Sequence, residues 1–538
     1  INSFVLSSVG VSSEFMTDNN LDTYLNANIP FKIGDKTKGV IKTGYAYRKK
    51  ERLRDVTSGG TNVVPNQFFR ADILAAENLP WIVEDPVSEN IIAENMPNGY
   101  VDNFLDGNYV FGHTFDFDRL NQITETWDNI SRYWYSQGQS VWSEIYPKEK
   151  LGYAQYISSS TLNDQDVEEI YHAGYVMAEL NIGDWLMFLP GVRYEKTNTT
   201  MNGFSAFQPT YAGPIYDPIP GIDSTATRAN DFILPMIHLR ISPKKWFYTH
   251  LAYTETLNRP GLHQISPNSW TNTGYQPFAY TSKSPGLEVE EWKNLDAQLT
   301  FHNQRLGLLS ISGFYKTVNN KIWDRSYNRI KGDPLIDPFP DTSIVRVNMP
   351  ENHPNEITLK GFELDLQTSL GYLSNIFKYF TMSANYTFTD SQTFYPISKI
   401  EDIITPNPNG GRPIVETIRI DSLVSGPMNS APKHIMNASL GFNKKGTNVW
   451  MSYQYTAGIL QSTHPQFQEM DILKREYYRL DLQVSQKLYG KLKGFQLIGN
   501  FANLNNITES KNYRGLTNKP TSQENYGWTV DLGLRYSF

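Results

Sequence analysis

The last eleven residues, Trp528-Thr529-Val530-Asp531-Leu532-Gly533-Leu534-Arg535-Tyr536-Ser537-Phe538, decide the fold class. Trp528, Val530, Leu532, Leu534, Tyr536 and Phe538 share one parity, and every residue of the other parity is polar or glycine. A strand points alternate side chains to opposite faces, so this one carries an unbroken apolar face and an unbroken polar one. An edge strand of a soluble β-protein could show the same pattern over four to six residues. About 9–11 residues is the length that crosses a bilayer at a strand's usual tilt. A strand of that length, closing on an aromatic, predicts the final strand of a transmembrane β-barrel.

The same alternation recurs upstream. It predicts a strand over about 21–32, a turn at Gly34-Asp35-Lys36 and a partner carrying Ile41, Thr43, Tyr45 and Tyr47. Residues 1–9, with Phe4 and Leu6, would be the end of another strand. From about 50 to 166 the pattern stops. Within that stretch Leu120, Ile123, Trp127, Ile130 and Trp134 recur at helical spacing, which predicts an amphipathic helix over about 115–135 in a large external loop. After 166 the hairpins resume and hold to the end. We count about fifteen strands, or sixteen with residues 1–9. Short polar turns such as Ser242-Pro243-Lys244-Lys245 and Asn443-Lys444-Lys445-Gly446 alternate with long loops near 197–230, 257–291, 318–357, 389–431, 457–475 and 505–526. An outer-membrane barrel sorts its connections in this way, with tight periplasmic turns and long extracellular loops. The C-terminus then falls on the periplasmic side. The expected organisation is barrel strands over 1–49, an extracellular loop with a short helix over 50–166, and barrel strands with long loops over 167–538.

Bulk composition agrees. The 538 residues contain 33 Tyr, 28 Phe and 11 Trp, which suits the aromatic girdles of such barrels. Mean hydropathy is −0.46, and no run of about 18 apolar residues occurs. Neither excludes a barrel, because its strands show lipid only every second residue. Cysteine is absent, which removes disulfides and thiol chemistry. A net charge of −7 without a basic run argues against a nucleic-acid partner.

Polar parity points Asp22, Glu195, Asp296, Glu363, Asp365, Asp481, Lys487, Asp531 and Arg535 into a lumen, either as a solvated interior or as the lining of a permeation path. On the loops, Trp127, Trp134, Trp142, Trp270, Tyr275, Tyr280 and Trp323 offer flat faces that could stack on a ligand or build small loop cores. The nine His show no metal spacing, and no G-x-S-x-G occurs, so an enzyme is not expected and neither is a resident cofactor. Asp102, Asn103, Asp106 and Asn108 could gather a loop calcium or simply form a solvated turn.

Several stretches resemble TonB-dependent outer-membrane transporters of Gram-negative bacteria. Glu255-Thr256-Leu257-Asn258-Arg259-Pro260 with Gln264-Ile265-Ser266-Pro267 looks like that family's strand end and loop. Ser284-Pro285-Gly286-Leu287-Glu288-Val289-Glu290 is similar to its Asn-Pro-x-Leu-x-Pro-Glu stretch, with Ser284 and Val289 departing from it. Leu359-Lys360-Gly361-Phe362-Glu363 resembles its x-x-Gly-hydrophobic-Glu strand, and Phe501-Ala502-Asn503-Leu504-Asn505-Asn506 its Asn-Leu-x-Asn loop. Phe538 resembles the terminal aromatic read by outer-membrane assembly machinery. The resemblance, over about 165–538, implies a 22-stranded barrel around an N-terminal plug and energised uptake of a scarce nutrient: an iron chelate, glycan, peptide or corrinoid. It implies outer-membrane lipids and the TonB complex as partners and, in a SusC-like branch, a surface lipoprotein. The chain shows no plug and no TonB box, and roughly six strands of the 22 are not in it. A structural barrel subunit of a larger outer-membrane assembly, without transport, is therefore the alternative.

Overall fold

The computed structural model describes residues 8–62, 97–101, 112–115, 154–155, 163–208, 219–272, 278–330, 333, 344–408 and 410–537. Fifteen long strands form one antiparallel meander: β1 (Ser8–Ile33), β2 (Thr37–Asn62), β3 (Gln165–Ile182), β4 (Leu186–Gln208), β5 (Ile219–Lys244), β6 (Phe247–Asn258), β7 (Glu290–Asn303), β8 (Gly307–Asn319), β9 (Ile357–Ser369), β10 (Phe380–Thr405), β11 (His434–Lys444), β12 (Thr447–Thr456), β13 (Tyr477–Lys487), β14 (Phe495–Ala502) and β15 (Thr529–Tyr536). Each pairs with the next along the chain. The sheet is all-β, as the alternation requires.

The parity rule holds around the sheet. Leu25, Ile41, Val176, Ile233, Leu299, Leu364, Leu440 and Leu532 all lie exposed on the outer face, Leu532 at 78%. A water-soluble protein rarely leaves so continuous an apolar surface bare, whereas lipid covers it. Aromatics mark both borders of the belt. At the short-turn end three couples sit directly opposite one another across strands: Phe247 with Phe301 (ring centroids 4.8 Å apart), Phe380 with Phe442 (5.1 Å) and Phe495 with Tyr536 (4.7 Å). At the other border Phe362 stacks on its partner Phe388 at 5.5 Å. On the last strand Trp528 and Tyr536 stand eight residues apart, about 27 Å of strand and about 20 Å of height once tilted. That matches a thin hydrocarbon layer.

Several boundaries differ from the sequence reading. The strand expected at about 21–32 begins at Ser8, so Ser8 and Val9 belong to it and not to a separate element; Phe4 and Leu6 lie outside the described residues. Likewise β2 continues to Asn62 and β3 starts at Gln165, which narrows the interrupted stretch. Most long loops are themselves β-structure. Above the belt β10 leaves β11 and pairs, over Thr393–Thr405, with the strand Ile414–Gly426. Ile322–Arg329 pairs with Val345–Asn352, and Thr508–Tyr513 with Leu516–Asn525. Beyond the membrane the two faces of a hairpin no longer separate lipid from water, so the ladder continues while the apolar alternation ends. The helix expected over about 115–135 lies outside the described residues, except for Phe115, which ends the strand Gly112–Phe115 paired with Pro97–Val101. Phe538 and the Asp102–Asn108 cluster are outside them too.

An odd number of antiparallel strands has a geometric consequence. β1 descends to the turn Gly34-Asp35-Lys36 and β15 descends to the C-terminus, so the first and last strands point the same way. Among the described residues no ladder joins them.

Candidate functional site

The upper inner wall is built from β3–β6 and the loop that follows β6. On the inward parity of β4, Arg193 Nε donates to Glu195 Oε1 at 2.6 Å, and Tyr171 of β3 donates its hydroxyl to the same oxygen at 2.7 Å. Arg259, just past β6, reaches Glu195 Oε2 at 2.6 Å, so the carboxylate is buried beneath two guanidinium groups. Arg48 and Arg259 both lie over the Tyr171 ring, at 6.0 and 5.4 Å. Thus Arg259 of the Asn258-Arg259-Pro260 motif ties the loop to the wall.

The loop then turns through a short helix, Leu262–Ile265, whose Leu262 and Ile265 pack with Leu287 against the inward-facing Val167 and Met201. Asn268 is fully buried; its Oδ1 accepts from the Phe204 amide at 3.0 Å and its Nδ2 donates to the Asp164 carbonyl at 2.8 Å. Glu290, the last residue of the Ser284–Glu290 motif, is 1% exposed and accepts four hydrogen bonds. Lys321 Nζ (2.7 Å) and the Ile322 amide (3.0 Å) bind one oxygen; Asn258 Nδ2 (2.9 Å) and Trp292 Nε1 (3.1 Å) bind the other. Burial pushes this carboxyl up, but its cation and donors outweigh burial and hold it below the ordinary 4.5.

Above this node four short strands, Ser269–Asn272, Phe278–Ser282, Val345–Asn352 and Ile322–Arg329, form a small sheet that continues the top of β4. Register puts Thr271, Tyr280, Val347 and Tyr327 in one row across it, on the face that also carries Trp323, Arg325 and Arg329. Trp270 points to the opposite face. Of the aromatic candidates, Tyr280 and Trp323 therefore share a surface and Trp270 does not; Tyr275, Trp127, Trp134 and Trp142 lie outside the described residues. Val345, Val347, Thr271 and Arg329 are buried, so part of this face is loop core.

One end of that face is a cavity of about 350 Å³ between the Ile322–Asn352 hairpin and the upper part of β10 with its partner strand. Trp323, Arg325, Glu351, His353, Pro396 and Leu423 line it. Arg325 donates through Nη1 to Glu351 at 3.0 Å and lies 4.5 Å over Tyr327, which Arg419 covers at 5.7 Å. The His353 ring is held between the Phe394 carbonyl (2.6 Å) and the Asn355 amide (3.1 Å), with Trp323 5.2 Å away. Two donors in this lining, Trp323 Nε1 and Arg325 Nε, are buried and have no hydrogen-bond partner. A buried N–H without an acceptor is costly, and here two of them belong to residues that line one space of ligand size. Sequence reading missed Arg325, Tyr327 and His353. The signal was present as Trp323, Arg325, Tyr327 and Arg329 on one parity, a strand face of aromatics and guanidiniums.

The chain matches the β-barrel profile described as TonB dependent receptor-like over residues 7–538. The chain belongs to the TonB-dependent receptor-like β-barrel family. Among solved structures it is similar to the ferric citrate transporter FecA (TM-score 0.50, 9% identity, 98% of this chain and 56% of that one). It is also similar to the copper transporter OprC (TM-score 0.50, 10% identity, 98% and 58%) and to the siderophore receptor PiuA from Acinetobacter baumannii (0.49, 12%, 97% and 56%). The chain thus spans a little over half the length of these three chains, and the likeness to FecA and OprC speaks for fold. No curated protein sequence matches it.

A TonB-dependent receptor barrel is an outer-membrane protein of a non-enzymatic family. Its short turns face the periplasm and its long loops the exterior. The Trp323 cavity is therefore extracellular. The acidic series on the polar parity has differing surroundings. Asp296, Glu363, Asp531 and Arg535 are exposed, Asp365 is half-buried, and Asp481 accepts from Arg479 Nε (2.8 Å) and from the Asn503 amide (2.8 Å). Asp22 and Asp481 each meet one guanidinium, from Arg48 and Arg479, whereas Glu195 meets two.

Proposed function

We propose that this chain is the barrel of an outer-membrane receptor that takes up a scarce, oxygen-rich nutrient in a TonB-coupled manner. One observation carries the reading: Trp323 and Arg325, each with a buried N–H that has no partner, line an extracellular cavity of a barrel whose family is TonB-dependent. Carboxylate, carbonyl or hydroxyl oxygens of a chelate, glycan or peptide would satisfy those donors once the two side chains turn toward the cavity. The flat face of Trp323, with Tyr280 farther along the same sheet face, gives such a solute stacking area. Tyr275, Trp127, Trp134 and Trp142 are further candidate contacts in this reading, whereas Trp270 faces away from the surface that carries Trp323. Inside, the exposed acids Asp296, Glu363 and Asp531 with Arg535 face the path or the segment that fills it.

Closure of the wall belongs to the same reading. Hydrocarbon offers no hydrogen-bond partner, so the free edges of β1 and β15 must be paired. Because both descend, antiparallel closure takes an odd number of additional strands. A 22-stranded barrel needs seven beyond these fifteen. The test is uptake by cells bearing the intact gene against a deletion strain, over a panel of chelates, glycans, peptides and corrinoids, with and without a protonophore. Energy-dependent accumulation of one class, lost on deletion, is expected. Unchanged accumulation across the panel would reject transport in favour of a structural barrel.

A further inference from the structure

The periplasmic end of the sheet has a charge opposite to that of the rest of the chain. The seven short turns with their flanking residues (32–38, 182–187, 242–246, 302–307, 369–380, 443–447 and 487–494), together with the C-terminal 535–538, hold eleven Lys and two Arg against Asp35 and Asp184 alone. The rim is therefore net +11 in a chain of net −7, which leaves −18 for everything above it. Lys32, Lys36, Lys38, Lys244, Lys245, Arg305, Lys378, Lys444, Lys445, Lys487, Lys491, Lys493 and Arg535 are all exposed. Among the described residues, Lys32 with Asp35 at 3.6 Å is the single ion pair made by this set.

Large apolar side chains alternate with these cations at the same level. Trp185, Trp246, Leu306, Leu373, Ile376, Phe377, Tyr489 and Leu492 are exposed on the same turns, and Lys378 and Lys444 flank the Tyr379 ring at 5.1 and 4.7 Å. Exposed aromatics and aliphatics interleaved with lysines are the composition of a surface lying at the headgroup boundary. There the rings seat beside the acyl chains and the ammonium groups reach the phosphates.

We propose that this rim binds anionic phospholipid headgroups of the periplasmic leaflet. The distribution argues for a leaflet over a protein partner. Six of the seven turns carry a base, and the arc they trace is on the order of 70–90 Å long, so only a surface that surrounds the barrel engages them together. Anionic lipid then fixes the depth of the barrel from below, while the acidic upper part is repelled from that leaflet, which makes the orientation one-way.

The test uses the full-length protein extracted in detergent and incubated with equimolar phosphatidylglycerol and phosphatidylethanolamine, with bound lipid read by native mass spectrometry. The wild type should retain phosphatidylglycerol preferentially. Replacing Lys244, Lys245, Lys444, Lys445, Lys491 and Lys493 by Gln should lower that retention at least about tenfold and leave phosphatidylethanolamine unchanged, and Lys→Arg at the same six sites should preserve it. Equal retention of both lipids by the wild type, or undiminished phosphatidylglycerol on the Gln variant, overturns the proposal. If the Gln variant does not assemble, a salt titration of the wild type decides: progressive loss of phosphatidylglycerol supports the rim, and indifference to salt overturns it.

Discussion

Replacing Glu290 by Gln should loosen the extracellular cap without touching the barrel. The carboxylate is 1% exposed and its two oxygens accept from four donors: Lys321, Ile322, Asn258 and Trp292. Gln fills the same volume but keeps one acceptor. Whichever way its amide turns, the NH2 group faces two of those donors and leaves them unsatisfied. At about 1–3 kcal/mol for each buried group stranded, and with Lys321 (27% exposed) able to find water, the loss should be about 2–4 kcal/mol. Opening of this node should then rise about 30- to 1,000-fold, at 1.36 kcal/mol per decade. Hydrogen exchange of the full-length protein reads this directly in Asn258–Ile265 and Ile322–Arg325. Amides of the lipid-facing segment Leu295–Phe301 serve as the internal control. The pH dependence has a definite sign. Glu290 lies five residues above Leu295, outside the belt, and its carboxyl is held below the ordinary 4.5, so its stabilisation is complete above that value and fades only as pH falls through the lowered one. The wild-type cap should loosen in acid, and Glu290→Gln should show no such step. Exchange within threefold of wild type at neutral pH would refute the four-donor account.

Three further outcomes follow from the geometry. Trp323→Phe keeps a ring but deletes the orphan N–H, so thermal stability should move by no more than about 1 kcal/mol while nutrient binding weakens; full binding in a titration would remove Trp323 from the site. At Gly361 a Cβ would stand 2.0 Å from the Phe388 carbonyl oxygen and 2.6 Å from the Phe314 ring, so Gly361→Ala should cost more than about 3 kcal/mol and cut the yield of folded barrel on a semi-native gel; normal yield would show that the Phe388 backbone can shift away as well as the Phe314 ring. The chain has no cysteine, so Asn28→Cys paired with Asp531→Cys, two lumenal positions at matching depth on β1 and β15, tests closure cleanly. If additional strands lie between these edges, no disulfide should form under mild oxidant; ready cross-linking would mean that β1 and β15 meet directly.

How much of this was legible follows from where the solvent differs on the two faces of a strand. Within the belt one face meets lipid and the other water, so residues such as Leu295, Leu299 and Ile311, or Trp528 through Tyr536, print the fold directly onto the sequence. Above it the two faces no longer separate lipid from water, and Ser8–Asn20 or Thr393–Thr405 carry no such alternation although their ladders are as regular. The missed part of the site has a similar cause. Trp323 was visible as a loop tryptophan, but its value depends on Arg325 beside it and on His353 and Leu423 arriving from elsewhere in the chain. Trp270 and Tyr280 looked equivalent in sequence, and only the register of the Ser269–Ser282 hairpin sends them to opposite faces.

The buried donors bear on why such a site persists. A well-packed loop core gains nothing from an indole N–H and a guanidinium N–H buried without an acceptor, and the same fold could bury Phe or Met there at lower cost. Glu195 and Glu290, by contrast, have every oxygen occupied, as residues kept for architecture should. Orphaned groups recur elsewhere in the upper wall, at Gln165, Thr197, Arg228 and Ser266, so what sets Trp323 and Arg325 apart is that both residues line one extracellular cavity.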